Sequence, residues 1–548
     1  MTHPPLAPST TLPPAQPPLS TTPTLAWLLG VHGLVWTLLQ WLAQGNLDGY
    51  HDMLENHAWS QTFAWGTFKH PPFFAWVVGL WFELFPTTDW AYRALSSANV
   101  VVALLGVAAL AGRLGLARHA TVAVLLLLWT LPYTTLAAKF NANSQLLSLW
   151  PWTAVALLAS LQSRGWRAWA WNTALGALAA ACLLSKYYSG VFLLGFVAVA
   201  LTRTDGRRWL FSAWPLLSLG VFALLLWPHL RWLQAHDFAT LGYAMNQNGD
   251  GDGGPHWGYL AKFALTPLAY WGTAWLAVTG AFAFARRPGL GTGLRAWGRG
   301  LVLSWRPQGW GDTLFWLAVL PGGITLLFGL AGLVELSTPW AIPIGYAFSL
   351  LWLRNLAAPC GAAEVQRVQT GLLRAAWPVL VAVVLGGAAY GAHRAQSGHP
   401  DYYRPSEQVA QDILALWQRE APGVPLGWSG GAWADNALLG FYGDARVRAV
   451  PGTPDTHPAT LAPVADWARQ GGVLICPLGP QGRPPAPSRS ARPKPDCLAE
   501  SAAWLRARGQ DDQPQRLAVA RQGLRFPAPV VFDYAVFLYR PAPAGHTP

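Results

Sequence analysis

DMLENHAWSQTFAWGTFKHPPFFAWVVGLWFELFPTTDWAYRALS, residues 52–96, connects two apolar runs at 25–43 and 91–112. Each run has about the 20 apolar residues that a helix needs to cross a bilayer. The connecting stretch combines acids, bases and a Pro-Pro pair with a further apolar segment. It decides the topology, because one more span within it would invert the orientation of every later segment.

The composition of the whole chain is that of a membrane protein. Only 11% of the 548 residues are charged and 53% are hydrophobic, whereas soluble domains have about 25% charged residues. The 33 Trp suit a chain with many membrane–water interfaces, where aromatic rings concentrate. The net charge of +12 is typical of Lys and Arg in cytoplasmic loops. The basic residues come in small groups between apolar runs, which argues against nucleic-acid binding.

Apolar runs predict about eleven membrane-spanning helices. The candidate spans are 25–43, 91–112, 119–137, 145–163, 168–184, 188–202, 208–227, 259–285, 312–331, 337–353 and 376–392. Arg residues are grouped in alternate loops between these spans. The positive-inside rule therefore predicts a cytoplasmic N-terminus and an extracytoplasmic tail from about residue 395.

The segment PPFFAWVVGLWFELFP, residues 71–86, is the one that tests this orientation. Its sixteen residues are fewer than a span needs, which favours a helix lying at the outer interface. Counting it as a span would place Arg113 and Arg118 outside, against the positive-inside rule.

Three parts follow from these patterns. Residues 1–22 are rich in Pro, Thr and Ser and lack Lys and Arg, which predicts a disordered cytoplasmic tail and not a signal peptide. Residues 23–394 form a predicted α-helical polytopic membrane domain with an outer loop at 44–90. Residues 395–548 mix helical and strand patterns and predict a small C-terminal α/β extracytoplasmic domain.

Within this tail, residues 405–420 have helical spacing, with Ser406 as the predicted N-cap. The segments VPLGWSG, GGVLICPLG and VVFDYAVFLYRP predict strands. Cys476 and Cys497 have no zinc-site spacing. If the tail lies outside the cytoplasm, a disulfide between them is permitted.

The outer loop concentrates ionisable residues near membrane-seeking segments: Asp48, Asp52, Glu55, His57, Lys69, His70 and Arg93. On a helix, Asp52, Glu55 and Asn56 share one face because they are spaced i, i+3 and i+4. Acids beside lipid are costly unless they face a polar cavity. The alternative explanation is a solvated helix face in a surface loop.

The quoted stretch resembles the first outer loop of GT-C type glycosyltransferases of the protein-mannosyltransferase-like superfamily, which includes the lipid A aminoarabinose transferases. Those proteins carry an acid after the first span, an aromatic-rich helix, a Trp-Gly turn, a basic residue beside Pro-Pro and an Arg before the second span. The matching positions here are Asp52, Trp59-Ser60-Gln61, Trp65-Gly66, Lys69-His70-Pro71-Pro72 and Arg93. Two departures concern Asp52, which is followed by Met53 where many relatives have Glu, and His70, which replaces Lys before Pro-Pro. Glu55 then becomes the candidate second acid.

The resemblance continues more loosely beyond the loop. KFNANSQLLSLWPW (139–152) resembles an Asn-containing segment of the superfamily and points to Asn141 and Asn143. LLSKYYSG (183–190) resembles its Lys-Tyr segment and points to Lys186 and Tyr187. STPWAIP (337–343) is a weaker match to a Pro-Trp segment. A lysine at a helix end also fits a snorkelling anchor, and that reading of Lys186 stays open.

The resemblance implies a glycosyltransferase that transfers a sugar from a polyprenyl-phosphate donor, undecaprenyl phosphate in a bacterial inner membrane, to an extracytoplasmic lipid, glycan or protein acceptor. Asp52, with Glu55, would activate or orient the acceptor. Outward-facing cations would stabilise the leaving phosphate. The implied substrate-binding residues are Lys69, His70, Arg93, Asn141, Asn143, Lys186 and Tyr187.

The sequence shows no required cofactor, although a divalent metal is possible. NQNGDGDGGPH (246–256) begins like a calcium loop, but Trp257 occupies the twelfth position, where such a loop needs Glu. A flexible loop or a gate is the better interpretation. A metal held by His236, Asp237 or His256 together with Asp52 is the less favoured one.

Two other functions compete with transfer. A transporter or flippase of lipid-linked sugars predicts ionisable residues at mid-membrane and broken helices in matching halves. A scaffold with an inactive enzyme body is suggested by the Met53 departure. The acids and bases cluster at one predicted face of the membrane, which favours surface chemistry over transport.

Overall fold

The computed structural model describes residues 23–47, 52–246, 257–286, 289–397, 404–455, 467–481, 496–521 and 530–541. The predicted tail 1–22, Asp48, His256 and most of the loops at 246–256 and 479–495 lie outside the described residues. Their predicted properties stay predictions.

The described chain is almost entirely α-helical up to Ser397, because a membrane-spanning backbone must satisfy its own hydrogen bonds. The helices are α1 (Pro23–Ala43), α2 (Asp52–Ser60), α3 (Phe73–Phe82), α4 (Asp89–Arg113), α5 (Ala120–Leu128), α6 (Ala142–Gln162), α7 (Trp166–Ser185), α8 (Ser189–Leu201), α9 (Thr204–Leu210), α10 (Trp214–Ala235), α11 (Ala239–Asn246), α12 (Trp257–Arg286), α13 (Leu290–Leu303), α14 (Thr313–Leu330), α15 (Phe348–Ala357) and α16 (Ala362–Ser397). Eight helices of the described chain are long and apolar enough to cross a membrane, or nine if α8 and α9, bent by 113°, form one span. The protein is therefore a multi-pass membrane protein, as predicted.

Three of the eleven predicted spans are not single long helices. The run 119–137 contains α5, which ends at Leu128, and then a 3₁₀ turn at Leu131–Tyr133 that includes Pro132. The run 337–353 contains two 3₁₀ turns before α15. The run 188–202 forms α8, which bends sharply into α9. Hydropathy reports the apolar length of a segment but not whether its helix continues, and broken backbone is tolerated where protein covers it.

The apolar segment at 71–86 forms α3, a helix of ten residues. At 1.5 Å per residue α3 is about 15 Å long, half the thickness of a bilayer core. It is too short to span, as predicted, and its position at the outer interface stays a prediction.

The described chain divides into two compact units. The helical unit comprises the described residues within Met1–Thr37, Lys69–Phe73 and Ser96–Val384. The loop–sheet unit comprises those within Leu38–Phe68, Phe74–Leu95 and Leu385–Pro548. The predicted domain limits at 394 and 395 stay a prediction.

The helical unit has an apolar core in which α7 packs against α6 and α10. A Cβ at Gly176 would lie 2.3 Å from the carbonyl oxygen of Ser218, so only glycine permits this approach of α7 and α10. The Ser218 hydroxyl donates to the carbonyl oxygen of Asn172 at 2.9 Å. Trp150 is fully buried and stacks on Phe192 with ring centroids 4.3 Å apart.

A buried ion pair fixes the start of α14. The Asp312 carboxylate accepts from the backbone N–H of Phe315 and caps the helix. Arg354, at the end of α15, donates both Nη1 and Nη2 to the same carboxylate at 2.6 and 2.7 Å. A bidentate pair of this kind is among the stronger charged contacts in proteins.

The tail of the loop–sheet unit carries a mixed five-stranded sheet in the order β2-β1-β3-β5-β4. Its elements are α17 (Ser406–Glu420), β1 (Leu426–Gly431), α18 (Trp433–Asn436), β2 (Arg448–Ala449), β3 (Gly471–Pro480), α19 (Cys497–Arg506), β4 (Gln515–Arg521) and β5 (Val530–Tyr539). β1 pairs in parallel with β2 and β3, and β5 pairs antiparallel with β3 and β4. The three predicted strands are confirmed as β1, β3 and β5, and the α/β character of the tail is confirmed with them.

Of two detailed predictions for the tail, the N-cap is wrong and the disulfide is present. Ser406 is the first residue of α17 and not its N-cap, which is Pro405; the Ser406 hydroxyl instead donates to Asn46 Oδ1 at 3.1 Å. Cys476 on β3 and Cys497 on α19 form a disulfide, with Cα atoms 5.8 Å apart. The permitted disulfide is therefore present.

Asp312→Asn is expected to destabilise the protein by about 3 kcal/mol, because it leaves the Arg354 charge buried without its carboxylate. Asn still serves as an N-cap, so the loss isolates the ion pair. Thermal unfolding in detergent measures the effect. Asp444→Asn is the control, since its partner Arg446 is 88% exposed and such surface pairs contribute little. Equal midpoints for the two variants would contradict the prediction.

Candidate active site

In the helical unit, predicted binding residues from two distant parts of the sequence meet. Lys69 and His70 precede α3, and Lys186 follows the last residue of α7. The Lys69 Nζ lies 6.0 Å from the ring centroid of Tyr243, and the His70 ring lies 6.3 Å from the same ring. The Lys186 Nζ lies 6.0 Å from the ring centroid of Trp340. Lys69, His70 and Lys186 are called the cationic cluster below.

The electrostatics of the cationic cluster distinguish its members. Burial, followed by the positive charges of Lys186 and Lys69, lowers the pKa of His70 well below its usual range. His70 is therefore neutral at pH 7, while the two lysines supply the positive charge. Both lysines lower the pKa of His70, because their positive charges oppose protonation of the imidazole.

The turn between α7 and α8 is held by tyrosines on either side. The Tyr187 hydroxyl is hydrogen-bonded to His229 Nε2 at 2.7 Å. The Tyr188 hydroxyl is hydrogen-bonded to Thr325 Oγ1 at 2.9 Å, and its ring lies 5.3 Å from that of Trp340. These contacts fix the backbone that carries Lys186.

Tyr243, His229 and Trp340 complete this region without having been predicted as site residues. Trp340 belongs to the Pro-Trp segment 337–343 that resembles the superfamily only weakly. His229 lies just after the predicted span 208–227 and two residues before Arg231, and no motif in the sequence marks it as a site residue. The sequence likewise carries no signal for Tyr243, which contacts Lys69 and His70 only through the fold.

Asn141 and Asn143 begin α6. Asn141 Oδ1 accepts from the backbone N–H groups of Asn143 and Ser144, and Ser144 Oγ accepts from the N–H of Asn141, which forms a capping box. Asn143 Oδ1 is buried without a hydrogen-bond partner among the described residues. Asn141 thus caps α6, and the binding roles of both residues stay predictions.

The predicted acids lie in the loop–sheet unit. The predicted helix over DMLENHAW is present as α2, which begins at Asp52. Asp52 is half-buried, whereas Glu55 is only 4% exposed. The Glu55 carboxylate accepts a hydrogen bond from the indole Nε1 of Trp433, at the start of α18. A buried carboxylate needs such a donor, because desolvation of the charge is otherwise strongly unfavourable.

Arg93, predicted to bind the donor phosphate, is buried in the same unit. Its guanidinium donates to the Gln44 side chain at 3.0 Å, to the carbonyl oxygen of Asn46 at 3.0 Å and to that of Leu47. Gln40 Oε1 accepts a longer bond of 3.3 Å. Arg93 therefore holds the segment that leaves α1, and its role in phosphate binding stays a prediction.

His57, two residues after Glu55 on α2, lies in an aromatic environment. Its ring lies edge-on to Phe82 and Phe441, at 5.4 and 5.0 Å. Burial, and then the charge of Arg448, lowers the pKa of His57 to about 4. This histidine is therefore neutral at pH 7 and packs as an aromatic ring.

The described residues contain no group of three or more His, Cys, Asp or Glu side chains that could hold a metal ion. His256, one of the residues of the less favoured metal hypothesis, lies outside the described residues.

Comparison with known proteins bears on the whole chain. Residues 69–232 match the family model described as Dolichyl-phosphate-mannose-protein mannosyltransferase. The crystal structure of ArnT from Cupriavidus metallidurans bound to undecaprenyl phosphate is similar, with 14% identity, a TM-score of 0.55 and coverage of 94% of this chain and 98% of that chain. This chain has a GT-C glycosyltransferase fold. The apo structure of the same ArnT gives 16% identity, a TM-score of 0.54 and coverage of 93% and 98%.

The family match over residues 69–232 and the ArnT-like fold together confirm the resemblance predicted from the outer loop. The family match contains the cationic cluster, Arg93 and Tyr187, while Asp52 and Glu55 precede it. No curated protein matched the sequence. At these identities the structural likeness establishes the fold, and the roles of individual residues rest on their own chemistry.

Lys186→Gln is expected to raise the pKa of His70, because it removes a positive charge that opposes protonation of the imidazole. His70 then gains its proton at a higher pH than in the wild-type protein. NMR titration of labelled histidines measures the shift. His57 is the internal control, since its pKa is lowered by burial and Arg448. A His70 titration that is identical in both proteins would refute this electrostatic description.

Proposed function

We propose that this protein is a membrane glycosyltransferase that transfers a sugar from a polyprenyl-phosphate donor to an extracytoplasmic acceptor. The carrier would be undecaprenyl phosphate in a bacterial inner membrane. The observation that carries the proposal is the pair of lysines around a neutral His70, within a GT-C fold. The similar ArnT structure was solved with undecaprenyl phosphate bound, which supports a polyprenyl phosphate as the anion.

The donor chemistry explains why two lysines are useful. In the reaction, the bond between the anomeric carbon and the phosphate oxygen breaks, and its electron pair remains on the departing polyprenyl phosphate. Lys69 and Lys186 would stabilise the charge that develops there, an effect that is large in a partly dry site. Each lysine acts as a point charge and imposes less geometry than an arginine fork. Neutral His70 can donate one hydrogen bond to the same phosphate without adding charge.

Asp52 is the proposed base or orienting residue for the acceptor. A carboxylate within about 3 Å of an acceptor hydroxyl can remove its proton as the new glycosidic bond forms. A single displacement of this kind inverts the anomeric centre, as in inverting glycosidases. Glu55 is the second acid of the same helix.

The proposed orientation places this chemistry outside the cytoplasm. The Cys476–Cys497 disulfide supports an oxidising compartment for the tail, and the arginine-bearing loops support a cytoplasmic N-terminus. The acceptor would then be a lipid, glycan or protein of the periplasm or outer leaflet. The GT-C fold favours transfer over the transporter alternative.

Asp52→Asn is expected to lower the rate of transfer about 10²- to 10⁴-fold, the range that general-base catalysis contributes. Membranes containing either protein are incubated with radiolabelled polyprenyl-phosphate sugars and with envelope lipids and glycans. Loss of label from the carrier gives the rate, and the labelled product identifies the acceptor class. Equal rates would remove Asp52 from the chemistry. Label that crosses liposomes without leaving its carrier would favour a flippase.

Lys186→Gln is expected to weaken the use of the donor about 10- to 100-fold in kcat/KM, since a charged contact to phosphate contributes about 1.5–3 kcal/mol. Lys262→Gln is the matched control. Lys262 is exposed and also lies over an aromatic ring, 5.6 Å from the centroid of Tyr259. A similar loss in both variants would indicate a general effect of positive charge and would count against a specific role for Lys186.

A further inference from the structure

The turn that follows β1 carries Trp433, whose side chain is hydrogen-bonded to Glu55. β1 occupies the centre of the parallel part of the sheet, between β2 and β3. It ends at Gly431, and Trp433 begins the short helix α18. In parallel sheets the carboxyl ends of the strands are the usual place for functional residues.

The backbone of this turn permits little freedom. Gly431 has a φ of +90°, and a Cβ there would lie 2.4 Å from the carbonyl oxygen of Ile475. The N–H of Ala432 donates to that same oxygen at 2.8 Å. The Ser429 hydroxyl donates to the carbonyl oxygen of Asn436 at 2.5 Å, which closes the turn from the other side. The position of Trp433 is therefore set by the sheet.

Aromatic contacts fix the orientation of the indole. The Trp433 ring lies 6.1 Å from that of Trp59 at an interplanar angle of 31°, and 5.5 Å from that of Phe68 at 80°. Tilted and edge-on arrangements at these distances are the favoured ones for aromatic pairs. Trp59 and Phe68 belong to the outer loop, so the loop and the tail together orient this ring.

The indole N–H is directed at a carboxylate that packing does not explain. Trp433 Nε1 donates to Glu55 Oε1 at 2.5 Å. Glu55 is 4% exposed, and its neighbours Met53 and Leu54 are buried apolar residues. A neutral side chain would be less costly at such a position, since a buried charge must recover its lost hydration.

We infer that Trp433 is a positioning residue for the transfer reaction, and that it acts by holding the Glu55 carboxylate in a fixed orientation on α2. The inference rests on the proposed glycosyltransferase function. An indole N–H that donates to a carboxylate stabilises its charged form, and the fixed ring limits the directions that the carboxylate can take. The C-terminal sheet is then part of the catalytic apparatus, because it supplies the group that orients an acid of the outer loop.

Trp433→Phe tests the inference, because it removes the N–H and keeps an aromatic ring. The expected result is a kcat lower by about 10- to 100-fold, the effect of losing one hydrogen bond to a charged group, with the donor KM unchanged. Trp504→Phe is the matched control. The Trp504 indole also donates to a carboxylate, Asp455 Oδ2 at 3.0 Å, within the same tail, and its loss should leave kcat unchanged.

A double-mutant cycle separates positioning from folding. If Trp433 acts through Glu55, Trp433→Phe has no further effect on kcat in the Glu55→Gln background. Independent, multiplicative losses, or a wild-type kcat in Trp433→Phe, would overturn the inference. In that case a large loss in Asp52→Asn would leave the proposed function standing. Absence of transfer from every donor by the wild-type protein would overturn both.

Discussion

The cost of removing charge from water governs the arrangement of this protein. With few charged residues in a largely apolar chain, each buried ionisable group has to be given a partner. Asp312 receives the forked guanidinium of Arg354, Arg93 is surrounded by amide and backbone oxygens, and Glu55 receives an indole N–H. Each of these contacts requires a defined hydrogen-bond direction as well as a charge. They therefore fix, in turn, the start of α14, the segment after α1 and the Glu55 carboxylate.

The cationic cluster also combines burial with charge. Burial, and then the charges of Lys186 and Lys69, lower the pKa of His70. An anion that bound there would offset these positive charges. A polyprenyl phosphate carries such an anion at the membrane surface, so the electrostatics and the proposed function agree.

The loop–sheet unit gives the C-terminal tail a role beyond that of an appended domain. The outer-loop segments and the tail share one compact unit. Tyr442 donates to Asp89 Oδ1 at 2.6 Å, and Arg448 donates to the carbonyl oxygen of Gln61 at 2.8 Å. The predicted acids thus lie on a helix that the sheet supports. Residues of the tail can influence catalysis through that support, as inferred for Trp433.

The sequence alone determined the membrane class, the α/β tail, the short helix α3 and the identity of the ionisable residues. These features depend on local composition, apolar length and strand or helix periodicity. The breaks at Pro132 and in 337–353 were not predicted, because hydropathy does not register where a helix stops. Only the tertiary structure brought Lys186 to His70, Trp340 to Lys186 and Trp433 to Glu55, the last pair across 378 residues. Such contacts depend on how distant segments pack, and no local pattern encodes that.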